Sequence, residues 1–386
     1  MTIPSSISPA LKVSLRFLGM WPGDTFSAIY WLSFMLSMLI IQYFQYVYIF
    51  DNLKISELSN LVDGLIVTLD YSLTVFKLTS LWIQRRIFHQ ILAAMDNDWR
   101  RSFSFEKHLY TMTVKASISH FISNALLSIN AIVAVPYLLG DYAIRYVLTE
   151  NHTDTLRQLP IKIQFPFDAQ QSPIFEILVV TLFLHVLIHA CTIAVLNGLI
   201  LTLVLHVSGQ IDIICCEFRN LSKDTVLHKS SVPLFGMLLE RHNRIISFSK
   251  NLETLFSFIS LMQVVWNTLV ICCLGFVIII SIDNGTGIFV LVKTVSGYFV
   301  VMVEAFVICF AGEYLSLKSK SVGDAIYETL WYDMPTHQSK IIIFIIMRSQ
   351  KRLAITAGKM VDMSFETFTS IMKASASYVS VLYAMY

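Results

Sequence analysis

The chain has 386 residues, of which 55% are hydrophobic and only 14% charged. Soluble domains carry about a quarter charged residues, so this balance excludes the usual soluble enzyme folds, and the apolar content excludes disorder. A net charge of +2 offers no basic face to nucleic acid.

In chain order, the first segment, Met1 to Asp24, holds Lys12 and Arg16 but no short apolar core with a small-residue cleavage site, so the first apolar run is expected to act as an uncleaved anchor. Runs of roughly 20 residues, long enough to cross a bilayer, predict spans at about 26–50, 58–83, 115–138, 174–206, 254–281, 287–316 and 362–384. The expected fold class is an all-α integral membrane protein with seven transmembrane helices. Eight of the nine prolines fall outside these runs, and Pro136 sits near the end of the third.

Ionisable groups inside a span are costly and ask for a reason. In the second span Asp63, Asp70 and Lys77 are spaced by seven, along one helix face. They predict either a stripe facing a hydrated cavity or ligand chamber, or a buried interhelical polar network with Lys77 snorkelling towards the cytoplasm. In the fourth span His185 and His189 have the i, i+4 spacing a metal could use, but no HExxH motif or convergent carboxylate accompanies them. They read as hydrogen-bonded packing histidines, and no metal or cofactor is expected. Glu304 in the sixth span and Lys373 in the seventh are further candidates for polar lining or interhelical hydrogen bonds.

The six cysteines (Cys191, Cys215, Cys216, Cys272, Cys273 and Cys309) lie in or beside apolar segments, and none falls in the polar stretch from Asp141 to Pro173. They are expected to be buried and reduced. No P-loop, dinucleotide fingerprint, GxSxG or HExxH motif is present. Thr356-Ala357-Gly358-Lys359 lacks the upstream glycine of a Walker motif. An enzyme is not expected.

Lysine and arginine set the orientation. Twenty fall in the N-terminal segment and the stretches after the second, fourth and sixth spans, against four (Lys54, Arg145, Arg157 and Lys162) in the alternate loops. This predicts a cytoplasmic N-terminus and an extracellular C-terminus. The glycosylation sequons at Asn151 and Asn284 then lie outside, and a third at Asn220 lies inside and stays unmodified.

From Ala325 to Met347 polar and apolar residues alternate with helical spacing, and the basic patch Arg348-Ser349-Gln350-Lys351-Arg352 precedes the final apolar helix. The chain is expected to divide into residues 1–316, a six-helix transmembrane bundle, and 317–386, a cytoplasmic anchor helix with the seventh span. On that span Ser377, Val381, Ala384 and Met385 share a face. The face either lines a pore, with Val381 and Met385 as a hydrophobic constriction that closes by dewetting, or packs against neighbouring helices.

Over essentially its full length the sequence resembles the insect odorant receptor family. The most specific motifs are Ala325-Ile326-Tyr327 with Trp331-Tyr332, Met347-Arg348-Ser349-Gln350-Lys351, Thr356-Ala357-Gly358-Lys359, Ser364 with Phe368, Ser375-Ala376-Ser377-Tyr378 and Val381-Leu382. Upstream, Asp98-Trp99, Leu159-Pro160, Pro166, Ser172-Pro173, His206-Val207-Ser208-Gly209-Gln210, His242, Ile245 and Glu253 match as well. Arg352 stands where the family usually has proline, and Ala376 where it has an aromatic. The Thr-Tyr and Gln-Phe ending of the sister gustatory receptors is absent.

The resemblance implies an odorant-gated, non-selective cation channel of four subunits around one pore, assembled with a shared co-receptor in the dendritic plasma membrane of a sensory neuron. The loop at about 207–253 is shorter than the co-receptor's, which implies a tuning subunit. Carried over, the family's pore gives Val381 as the gate, Met385 next outward and Ala384 near the mouth. A volatile organic ligand would bind in the outer half of spans two to six, with Tyr71, Asn130, Tyr137, Thr181, His185, Thr294 and Tyr298 as candidate contacts. The rival reading is a seven-helix receptor coupled to G proteins. Against it stand the charge distribution, the missing Asp-Arg-Tyr and Asn-Pro-x-x-Tyr motifs and the lack of an outer disulfide. A small-solute transporter is a third reading.

Overall fold

The computed structural model describes residues 4–53, 58–148, 159–224, 232–283, 288–329 and 331–385. The sequons at Asn151 and Asn284 lie outside the described residues. The chain opens with α1 (Pro9–Phe17), where proline occupies the first turn and the Ser8 hydroxyl accepts the Leu11 N–H at 3.2 Å. Then follow α2 (Ser27–Asp51), α3 (Leu58–Ile83), α4 (Arg85–Ser102), α5 (Glu106–Leu148), α6 (Ile174–Asp224), α7 (Val232–Asp283) and α8 (Ile288–Tyr327).

The apolar runs mark only part of these helices. α6 and α7 have 51 and 52 residues, about 77 Å at 1.5 Å per residue, more than twice the roughly 30 Å hydrocarbon core. Beyond the apolar stretch each continues as a polar helix, tied to its neighbours by ion pairs. Asp212 of α6 binds Lys115 of α5 at 3.0 Å and Lys318 of α8 at 2.7 Å, and Glu217 of α6 receives His108 at 3.2 Å and Arg241 at 3.7 Å. Helical backbone satisfies its own polar groups, so these segments leave the apolar region without breaking.

Five of the described helices, α2, α5, α6, α7 and α8, are long and apolar enough to cross a membrane. α3 has 26 residues and the last helix 21, long enough in themselves. The first carries Asp63, Asp70 and Lys77, and the second is diluted by Thr367, Thr369, Ser370, Ser375, Ser377 and Ser380.

A buried polar cluster fixes the segment before α1. Ser6 is 2% exposed. Its hydroxyl lies 3.0 Å from His206 Nδ1 of α6 and receives Trp99 Nε1–H of α4 at 3.1 Å, and its carbonyl accepts Ser119 Oγ–H of α5 at 3.0 Å. His206 Nε2 stands 3.3 Å from Asp98 Oδ2. Four separate parts of the chain therefore meet at one serine.

After α8 come a 3-10 turn (Trp331–Asp333), α9 (Thr336–Ser349), a hairpin of β1 (Thr356–Ala357) and β2 (Val361–Asp362), and α10 (Phe365–Met385). The hairpin is a local exception in an otherwise helical chain among the described residues. Gly358 and Lys359, at φ 60° and 62°, hold the left-handed conformation of a tight hairpin turn. Their N–H groups donate to Ser257 O at 2.9 Å and Ser257 Oγ at 3.1 Å, docking the turn on α7. On its other side the connection presses on α8, where a Cβ added to Gly312 would stand 2.3 Å from Met363 O. Gly312→Ala is expected to cost about 1–3 kcal/mol through this overpacking. A fall in the thermal midpoint of the purified chain, absent in Gly236→Ala where a Cβ meets open space, checks it.

All six cysteines are free. Burial was expected of all six, and Cys216 departs from it: it is exposed, and Cys191 is half-buried. Adjacent helical residues point about 100° apart, so Cys215 turns inward while Cys216 faces out.

Candidate functional site: a cavity walled by five helices

A cavity of about 130 Å³ opens among α3, α5, α6, α7 and α8, and Ile161 from the segment before α6 also lines it. Each helix contributes one stripe at helical spacing. α3 supplies Asp63, Ile66, Val67, Asp70 and Tyr71; α5 supplies Asn130, Val133 and Ala134; α6 supplies Val186, His189, Ala190 and Ile193. Val270 and Leu274 come from α7, and Lys293, Thr294, Gly297, Val300 and Val301 from α8. The i, i+3, i+4, i+7 pattern is what turns one face of a helix to a common centre. Half of the lining residues are branched aliphatic, and most of the exposed wall is apolar, as in pockets for small organic ligands.

The polar groups form layers along α3. Asp63 and Lys293 belong to the second turns of α3 and α8. About 10 Å further along α3 stands Asp70, whose Oδ2 is 3.9 Å from His189 Nδ1. Tyr71 stacks on His189 with ring centres 3.9 Å apart, and its hydroxyl lies 3.2 Å from His185 Nδ1. One further repeat along, Lys77 Nζ pairs with Glu304 Oε1, the two side chains only 3% and 2% exposed. Gln263 Nε2–H of α7 donates to the Glu304 carbonyl at 3.0 Å. Both readings of the charged stripe therefore hold in part. Asp63 and Asp70 face a chamber, whereas Lys77 does not snorkel but is buried in an interhelical ion pair.

The structure sorts the seven candidate contacts. Tyr71, Asn130 and Thr294 line the cavity. His185 stands behind Tyr71 as its hydrogen-bond partner, and Tyr298 packs half-buried against the core. Thr181 is on the exposed face of α6, about 140° around the helix from Val186. The Tyr137 side chain lies outside the described residues. His189 and Lys293 line the cavity without having been singled out for it, although His189 follows Val186 at the i, i+3 spacing that marks this stripe. No group of three or more His, Cys, Asp or Glu among the described residues is placed to hold a metal ion.

The second feature is α10. Ile371 and Ser375 are buried, Ser375 Oγ–H donates to Thr268 O of α7 at 3.2 Å, and Val379 reaches within 3.0 Å of where a Cβ on Gly275 would stand. The small residue lets α7 and α10 approach closely. Near its end, Tyr383 O–H donates to Asp283 Oδ2 at 2.8 Å. The opposite face is uncovered: Ser377 and Ala384 are exposed, Val381 is 58% and Met385 78% exposed, and Lys373 is exposed as well.

Membrane-length helices around a small, mostly apolar cavity define a multi-pass helical membrane protein. The chain belongs to the 7tm odorant receptor family, whose sequence profile matches residues 57–376. The family is one of transmembrane odorant receptors rather than of enzymes. Odorant receptor 22c of Drosophila melanogaster is 26% identical over 240 residues, 58% of this chain and 57% of that one. Odorant receptor 13a of the same species is 27% identical over 245 residues, 60% of this chain and 58% of the relative. These two matches thus span a little over half the relatives' own length. The fold is similar to the olfactory receptor OR5 of Machilis hrabei, solved in complex with eugenol. The TM-score is 0.78 at 15% identity, covering 98% of this chain and 96% of that one.

Proposed function

We propose that this chain is the tuning subunit of an odorant-gated, non-selective cation channel, assembled as a heterotetramer with a shared co-receptor. The observation that carries the reading is the cavity: five helices each turn one stripe to it, so a ligand there touches all five at once. The eugenol complex of the similarly folded Machilis receptor supports a small volatile organic ligand. Seven spans follow from the apolar runs, and a cytoplasmic N-terminus and an extracellular C-terminus from the lysine and arginine distribution. With that topology, Asn151 and Asn284 are the glycosylation sites. Location in the dendritic plasma membrane follows from the family.

In this reading residues 1–316 bind ligand and 317–386 carry the anchor and the pore. α10 lines the pore with its uncovered face, Val381 as gate, Met385 outward of it, Ala384 near the mouth and Ser377 deeper. A ligand opens the pore only through higher affinity for the open state. Filling the cavity draws α7 and α8 into a new arrangement, and the Gly275–Val379 contact carries that shift to α10.

Gly297→Phe tests the site. Gly297 lines the cavity, and a Cβ there meets only Leu274 Cδ2 at 3.8 Å, so a side chain starts there without a clash and its ring takes up cavity space. A cavity of this size holds roughly one benzene-sized group. The ligand concentration for half-maximal current in cells co-expressing the co-receptor is expected to rise at least about tenfold, with surface expression retained. An unchanged response removes the cavity from the mechanism.

A further inference from the structure

The hydrogen bonds around Asp70 fix which atoms still need a partner. Thr74 Oγ1–H donates to the Asp70 carbonyl at 3.2 Å, so its proton is used within α3. Thr74 Oγ1 is then the acceptor for His189 Nε2, 3.0 Å away, and the neutral imidazole carries its proton on Nε2. The other ring nitrogen, Nδ1, presents a lone pair, and it faces Asp70 Oδ2 across 3.9 Å. With Asp70 ionised, two acceptors confront each other on the cavity wall, too far apart for a direct hydrogen bond.

Charge supplies an independent constraint. Asp70, Lys77 and Glu304 set two carboxylates against one ammonium, and Lys77 is taken by Glu304. Among the described residues no lysine or arginine stands within ion-pair distance of Asp70. At the other end of the cavity Asp63 and Lys293 are of opposite sign and leave the deficit where it is. A carboxylate in an apolar chamber is costly until a cation or a set of donors meets it.

We propose that the cavity is selective for small organic amines, bound as the ammonium by Asp70 and His189. The proposal rests on the cavity being the ligand site and adds the chemical class of the ligand. An ammonium brings positive charge and several N–H donors, so one nitrogen bridges Asp70 Oδ2 and His189 Nδ1. Its hydrocarbon part lies against Ile193, Val270, Leu274 and Val301. An alcohol brings one donor and no charge, a ketone or ester brings no donor, and a carboxylate is repelled. At about 130 Å³ the cavity suits a chain of about five carbons, since a cavity of roughly 150 Å³ admits benzene.

The test is equilibrium binding of radiolabelled pentylamine, pentan-1-ol and pentanoic acid at neutral pH, with empty discs as background. The samples are the purified full chain in phosphatidylcholine nanodiscs and its Asp70→Asn variant. Pentylamine is expected to bind at least about tenfold more tightly than pentan-1-ol, the margin of a charge-assisted hydrogen bond. Pentanoic acid is expected to be weakest, and the amine-to-alcohol ratio to collapse towards one in Asp70→Asn. Equal affinity for pentylamine and pentan-1-ol in the unmodified chain overturns the proposal without any variant, as does a ratio that survives Asp70→Asn. Either result leaves the cavity as the ligand site if Gly297→Phe weakens the binding that is seen. Binding of no probe, or binding indifferent to Gly297→Phe, overturns the cavity reading and the amine proposal with it.

Discussion

Lys77→Met is expected to lower the stability of the folded chain by about 3–5 kcal/mol, the usual consequence of removing one partner from a buried ion pair. Glu304 would remain 2% exposed with no cation facing it, beneath a cavity that already holds Asp70. The double variant Lys77→Met/Glu304→Leu is expected to recover most of the loss, because a buried pair exchanged for apolar groups of similar volume is often neutral or stabilising. Thermal unfolding of the purified chain, followed by tryptophan fluorescence in one detergent, compares the two. A single variant no worse than the double would mean that Glu304 finds another partner. The pair also clamps α3 to α8, the two helices that give the cavity most of its polar wall, so the single variant should lose ligand response at temperatures where it still folds.

Val381→Ser is expected to raise current in the absence of ligand. A closed hydrophobic constriction holds because wetting its apolar lining is unfavourable. Valine to serine removes roughly two methyl equivalents at about 0.8 kcal/mol each, so the open-to-closed ratio should rise roughly tenfold for each copy of this chain in the pore. Val381 is 58% exposed in the isolated chain, on the face α10 turns away from its own bundle, so the substitution disturbs little packing within the subunit. Recording basal current with surface expression measured in parallel checks it, and Leu382→Ser is the contrast. Leu382 packs half-buried against the core, so that change should reduce folding rather than open the channel. Unchanged basal current in Val381→Ser would remove it from the gate.

What the sequence could convey depended on whether the signal was local. The spacing of Asp63, Asp70 and Lys77 is visible within one helix, and so is the face that carries Ser377, Val381 and Met385. Partners distant in sequence were not visible: Lys77 and Glu304 are 227 residues apart, and neither shows which the other will choose. Helix rotation was equally hidden. Thr181 and Tyr298 sit at suitable levels of their spans but point elsewhere, whereas His189, read as packing, faces the cavity. Helix ends went astray because apolar content marks the membrane, not the helix. α6 continues to Asp224, past the apolar run that ends near residue 206, since its polar turns are held by ion pairs of α5 and α8. The hairpin at Thr356–Asp362 has two-residue strands, too short for any alternation to register. Its one mark was Gly358, which a turn of this kind requires.

The lodging of Ser6 among α4, α5 and α6 bears on how the protein is made. A ribosome synthesises Ser6 200 residues before His206, its hydrogen-bond partner, and at 5–20 residues per second that is roughly 10–40 s of translation. Throughout that interval the segment has no completed seat, so an early-made stretch waits for α6, past the midpoint of the chain, before it is secured. Fusions at this end of the chain therefore act on packing rather than on insertion: a bulky leader would let the helices insert yet keep the bundle from locking, and its signature would be retention in the secretory pathway rather than failed insertion.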